Sequence, residues 1–438
     1  MQEKVNTTEN QTNLTRDKIA VAQKLQELEI LFPTENLDTN RTLVLISAVT
    51  YQGADGAIKE YLVPVVSGIL GQTEPTKYCL DVVIGLDNYD PTFLLQKLQT
   101  FPSLQVIILK PDQDIPPATD QTSRVVIYDP YDTYEATTYQ QKQTIQSRGK
   151  VEMLNRIAQL VERSAQQGYV LPSSTVMADH ESHFISQPKF GLATELGQSQ
   201  VVRLIEQFKN SNFTFLSGRT VNVAYQTDAV DGRNHQQVPD FTQPVSLHHL
   251  MDNLLHGNGK GGLRGPGYVA KTRELLALIE VIAKNHPSMK GEDTMIEMLA
   301  SALGWKIGVG EVGVTNLSPD IFSIDGDGTP SWLRQLVRWM EGTRGIQVAY
   351  ADYSDAELES VNRMFDKLIK FPAIGIAIIY LLKLTLESSP PHERAQRLRH
   401  AITHILGYRR NSKRIMSAKP HPTDDRDLSP TWKPPVST

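Results

Sequence analysis

Three features of the sequence predict an α/β fold built on a mostly parallel sheet with helices on both faces. Short apolar runs alternate with segments of helical periodicity from Thr42 onward. Acidic residues stand where two of those runs stop, at Asp87 and Asp179. The chain has 438 residues, 40% of them hydrophobic, which suits one large core with appendages.

Taken in order, Ile19, Ala22, Leu25, Leu28 and Leu31 form an apolar stripe that ends at Pro33, predicting an amphipathic helix docked on the main domain. Thr42 to Val49 (TLVLISAV) reads as a strand, about Ala57 to Gly71 as a helix, and DVVIGL as a second strand ending at Asp87. A helix follows Pro91, and LQVIIL and RVVIYD are further strands. Val151, Leu154, Ile157, Leu160 and Val161 share one helical face, and STVMA after Pro172 reads as a short buried strand that stops at Asp179 and Glu181. Beyond Gly191 the pattern loosens, with a helix around Val201 to Phe208 and strands near Phe213 and Val221. The glycine-rich run Gly257 to Gly267 reads as a flexible loop, followed by helices through KTRELLALIEVIAK and EDTMIEMLASALG, the second closed by Gly304. Ser354 and Glu357 make a capping box that opens a helical tail to about Gly407. The expected organisation is a disordered start and amphipathic helix (1–40), a catalytic domain (41–345), a helical extension (346–415) and a disordered tail (416–438).

A net charge of −5 is small for this length and argues against nucleic acid as the main partner. The single cysteine, Cys79, excludes an internal disulfide framework and sits in an apolar run, which predicts a buried core residue and a reducing, cytoplasmic setting. The first eighteen residues are polar without an apolar h-region, so no signal peptide is expected. The longest apolar run, Phe371 to Leu384, is too short for a bilayer span and is broken by Lys383. A basic cluster, Arg394 to Arg414, reads as a solvated helix face that offers a peripheral contact to an anionic membrane surface or a complex partner.

In an open parallel sheet, ligands bind beyond the carboxyl ends of the strands. Thr50 and Tyr51 follow the first strand there, Asp87 ends the second, and Asp179 and Glu181 end a third. Two carboxylates one residue apart supply hard oxygen ligands for a divalent cation such as Mg2+ or Mn2+, or simply form a solvated strand end. Glu292 and Asp293 open a helix, where acids are favoured by the macrodipole and where a general base could also stand. Lys150 opens another, as a phosphate contact or a solvated lysine.

The ordered set LDNYDPT, MADHES, KGEDTMIEML and PSWLRQLVRWMEG resembles the motifs of family-2 glycosyltransferases of the A-type fold. RGKVEMLN resembles that family's GK-x-x-x-LN segment, and Gln335, Arg338 and Trp339 match its QxxRW box. The resemblance covers roughly Thr42 to Gly342. It implies an inverting transfer from a nucleotide-sugar donor, UDP-linked, to a hydroxyl on a carbohydrate, lipid-linked or protein acceptor. In that scheme Asp293 is the base, and Asp179 and Glu181 hold Mg2+ or Mn2+. Thr50, Tyr51, Asp87, Lys150 and Asp179 face the nucleotide, while Glu292, Gln335, Arg338 and Trp339 face the acceptor and diphosphate. From another class, the same features suit a non-catalytic nucleotide-sugar-binding scaffold in a polysaccharide-synthesis complex. The chain departs from the family in having AVTYQG after the first strand, DHE for DxD, and no membrane helix of the kind processive members carry.

Overall fold

The computed structural model describes residues 13–49, 57–71, 79–87, 92–101, 104–118 and 122–131, then 149–179, 182–185, 198–225, 263, 267–287, 289 and 291–319. Near the C-terminus it describes 342–347, 349–350, 391, 392, 395, 399 and 402. The elements are α1 (Asn13–Leu31), β1 (Asp38–Val49), α2 (Ala57–Leu70), β2 (Cys79–Asp87), α3 (Thr92–Leu98), β3 (Gln105–Leu109), β4 (Arg124–Tyr128) and α4 (Lys150–Gln166). They continue as β5 (Pro172–Asp179), β6 (Ser182–Ile185), α5 (Gln198–Lys209), β7 (Phe215–Tyr225), β8 (Gly267–Lys271), α6 (Thr272–Asn285), α7 (Glu292–Ala302) and β9 (Ile307–Pro319).

Within the described residues the strands form one sheet in the order β3-β4-β2-β1-β5-β8-β7-β9-β6. Strands β1 to β5 are mutually parallel, with helices α2, α3 and α4 making three of the crossovers and an irregular connection leading from β3 to β4. Strand β8 runs antiparallel to β5 and to β7, β9 runs parallel to β7, and β6 is antiparallel to β9. The fold is therefore mixed α/β on a mostly parallel sheet. Among the described residues no helix is long and apolar enough to cross a membrane.

Two clusters of buried side chains cover the two faces. Leu43, Leu45, Val83, Val126, Met177 and Tyr268 meet α1, α4, α6 and α7 on one side. Val44, Ile46, Val82, Ile84, Val125 and Val176 meet α2, α3 and α5 on the other. Because strand side chains alternate faces, Gly85, Asp87, Ser47 and Asp179 fall on the α4 side. Near the opposite ends of the strands, the buried Asp81 carboxylate accepts hydrogen bonds from Arg124 at 2.9 and 3.1 Å and from the Tyr169 hydroxyl at 2.7 Å, and also pairs with Arg41. These bonds pin β1, β2 and β4 together away from the functional edge.

Several sequence expectations need correction. The α1 stripe is rotated: Leu14, Asp17, Val21 and Leu28 are buried, while Ile19 and Leu31 are 39% and 47% exposed. A polar cluster causes the rotation. The Asp17 carboxylate accepts hydrogen bonds from His286 Nε2 at 2.8 Å, the Tyr350 hydroxyl at 2.7 Å and Asn285 Nδ2 at 2.7 Å. The two strands expected near Phe213 and Val221 are one long strand, β7. Gly267 is the first residue of a strand, β8, instead of the end of a loop. Strands β6 and β9 were not expected. The capping box at Ser354, the apolar segment Phe371 to Leu384, the tail after 416 and the basic cluster, apart from an exposed Arg399, lie outside the described residues.

Candidate functional site

Asp179 ends β5 and pairs across the sheet with Ser47 of β1, while Asp87 ends β2 opposite Val49. With β1 between them and a two-residue offset along it, Asp87 and Asp179 stand about 12 Å apart on one face and one edge. Asp87 is fully buried. Ser47 is also buried, and its Oγ has no hydrogen-bond partner among the described residues. The Asp179 backbone N–H donates to Ser182 Oγ at 3.0 Å.

Two helices aim their first residues at this edge. Each follows a glycine in the left-handed region, Gly149 at φ +89° and Gly291 at φ +88°, a conformation that side-chain-bearing residues resist. Helix α4 lies close on the sheet because Gly85 has no side chain: a Cβ there would stand 2.7 Å from Ile157 Cδ1. This close approach fixes Lys150 above the strand ends. From the other side, α7 presents Glu292 and Asp293 in its first turn.

The Lys150 ammonium joins the two parts. Nζ contacts Asp179 Oδ1 and Glu292 Oε1 at once, with all three side chains largely buried. Burial disfavours its charge, but Asp179, Glu292 and Asp293 outweigh this and hold Lys150 protonated well above the ordinary lysine range. Asp293 behaves oppositely. Burial, reinforced by the neighbouring Glu292 charge, pushes its carboxyl up to about 6, against the opposing pull of Lys150 and the Thr294 backbone N–H. A carboxyl raised toward neutrality is suited to exchanging a proton.

Lys150, Asp179, Glu292 and Asp293 are thus brought together, and Asp87 shares their edge. Thr50, Tyr51, Glu181, Gln335, Arg338 and Trp339 lie outside the described residues. Sequence reading missed Ser47 and Tyr268. Tyr268 is buried in β8, where burial raises its hydroxyl above the ordinary phenol range and Lys150, Glu292, Asp293 and Asp179 all act on it electrostatically. Its signal was hidden because GPGY reads as loop. The glycine-rich run is tied to α7 as well, since the Leu263 N–H donates to Glu297 Oε2 at 3.2 Å.

Hard oxygens of the Asp179 carboxylate and of the buried Ser47 hydroxyl, paired across β5 and β1, are of the type that suits Mg2+ or Mn2+, which are held by one or two carboxylates together with phosphate oxygens and water. Among the described residues no group of three or more His, Cys, Asp or Glu side chains is placed to hold a metal ion by itself.

No protein-family model matches the chain, and no curated protein matches it. Among solved structures it is similar to S. aureus TarS 1–349 in complex with UDP-GlcNAc, at 12% identity and a TM-score of 0.31, over 85% of this chain and 92% of that one. It is also similar to mouse xyloside xylosyltransferase 1 in its apo form, at 11% identity and a TM-score of 0.25, over 62% and 79%. Likenesses at these values bear on neither the chemistry nor the details of the fold.

Proposed function

We propose that the protein is an inverting glycosyltransferase of the family-2, A-type kind. It would move a sugar from a nucleoside diphosphate donor, a UDP-sugar, to a hydroxyl of a carbohydrate, lipid-linked or protein acceptor. One observation carries the reading: Lys150, Asp179, Glu292 and Asp293, spread over more than a hundred residues of sequence, converge at the carboxyl edge of the sheet.

The chemistry follows from those groups. The Asp293 carboxylate takes the proton of the acceptor hydroxyl as its oxygen attacks the anomeric carbon. The bond to the diphosphate breaks with its electron pair staying on the phosphate oxygen, so the anomeric configuration inverts in one displacement. Lys150 meets part of the leaving charge. When bound, Mg2+ or Mn2+ held by Asp179 and Glu181 would neutralise the rest. Asp87 with Thr50 and Tyr51 would face the nucleotide, and Gln335, Arg338 and Trp339 the acceptor and diphosphate.

A panel of nucleotide sugars tests the reading, by thermal shift with and without MnCl2 and by release of free sugar from the donor. Stabilisation by at least one UDP-sugar with turnover supports it. Stabilisation without turnover would instead support the scaffold alternative, a nucleotide-sugar-binding subunit of a polysaccharide-synthesis complex.

A further inference from the structure

The carboxylate assigned above to a divalent cation is already engaged by a cation of the chain itself. Lys150 Nζ contacts Asp179 Oδ1, and the same ammonium contacts Glu292 Oε1. An ammonium and a divalent ion on one carboxylate repel each other strongly even when each takes its own oxygen, so a metal reaching Asp179 works against the seated Lys150. The helix that carries Lys150 is held to the sheet through Met153 and Ile157 at Gly85, whereas the lysine's four-carbon arm is flexible. Displacement therefore moves the arm and leaves the backbone in place. The arm needs an anionic destination beyond Glu292, and the oxygens of a diphosphate bound at this edge supply one.

We propose that Lys150 couples the two ligands as a positioning residue: its ammonium holds Asp179 until a nucleoside diphosphate draws it away, so that cation and nucleotide bind together. The inference rests on Asp179 being a cation ligand. A pre-seated ammonium also keeps Asp179 and Glu292 at a fixed separation before any ligand arrives.

The test is Mn2+ binding to the purified full chain, read from the loss of the free aquo-Mn2+ electron paramagnetic resonance signal with MnCl2 alone and with UDP added, each measured against the same mixture without protein because UDP itself chelates Mn2+. For the wild type, UDP should tighten Mn2+ binding at least about tenfold, within the usual range of coupling between two ligands. Lys150→Gln should bind Mn2+ alone at least about fivefold more tightly than the wild type and show a smaller effect of UDP. Lys150→Arg, which keeps the charge, should bind Mn2+ alone no more tightly than the wild type. Unchanged or weaker Mn2+ binding by Lys150→Gln, with UDP still bound, overturns the coupling role and leaves the proposed function standing. Should Lys150→Gln not fold, wild-type Mn2+ affinity that ignores UDP overturns the role by itself. Absence of Mn2+ binding in all three proteins, with and without UDP, removes the metal assignment together with this inference.

Discussion

Gly342 lies against Gly291: its Cα is 3.9 Å from the point a Cβ on Gly291 would occupy. Gly291 is the residue before Glu292 and Asp293, and Gly342 follows Trp339 by three residues.

Gly291→Ala should therefore disturb the site from its backbone. The φ of +88° costs a side-chain-bearing residue about 1–2 kcal/mol, whereas the methyl itself would make ordinary contact with Gly342. Urea denaturation should show that loss of stability, with the proposed turnover falling further than stability alone explains. An unchanged midpoint would mean that the turn relaxes without strain.

Trp339→Ala should raise the acceptor requirement far more than the donor requirement, because an aromatic face is worth about 0.5–1.5 kcal/mol beyond buried area. Separate KM values for donor and acceptor check this. Equal changes in both would remove the indole from the acceptor side.

Asp17 ties α1 to the end of α6 and to Tyr350, and Asn13 Nδ2 adds a 2.8 Å bond to the Ala349 carbonyl. Burial opposes the Asp17 charge, but hydrogen bonds from His286 and Tyr350 prevail and hold its carboxyl below the ordinary value of 3.8. Asp17→Ala leaves buried donors without an acceptor and should cost about 2–4 kcal/mol. A depressed carboxyl contributes stability that is present above 3.8 and lost as pH falls through its folded value. The gap between wild type and Asp17→Asn should accordingly shrink in acid, and a gap that widens there would contradict the assignment.

Asp293 has the opposite sign. Its carboxyl moves from 3.8 up to about 6 in the fold, so its favourable contribution is complete below 3.8 and disappears as pH rises through about 6. Asp293→Asn should be more stable than the wild type at pH 8 by about 1–3 kcal/mol, with the difference closing by pH 4. Thermal denaturation at pH 4, 6 and 8 measures it. Lower stability of the variant at pH 8 would show that attraction to Lys150 outweighs burial and Glu292.

The parts of this arrangement differ in how plainly the sequence announces them. Helix α4 and strand β5 were legible because five apolar residues share one helical face and Pro172 separates them from the short run STVMA. Lys150, Asp179, Glu292 and Asp293 were legible because each stands at an element boundary. Strand β9 was hidden by its glycines, which serve clearance instead of turning: a Cβ on Gly308 would stand 2.6 Å from the Phe213 ring. The buried face of α1 was hidden for a different reason. Hydropathy places an aspartate in solvent, and only the three-dimensional meeting of Asp17 with His286 and Tyr350 turns it inward. Ser47 looks like any residue of its strand and Tyr268 was hidden in a run that reads as loop, because their place at the site depends on strand pairing between distant segments.

The most direct test of the account is Asp293→Asn, assayed for both donor affinity and turnover with the UDP-sugar that the wild type uses. Donor affinity should stay within about threefold of the wild type, turnover should fall by at least about a hundredfold, and the wild-type rate should rise with pH through about 6 as Asp293 loses its proton. Equal losses of binding and turnover would contradict the account by assigning Asp293 to the donor side, as would a wild-type rate that is flat across that pH range.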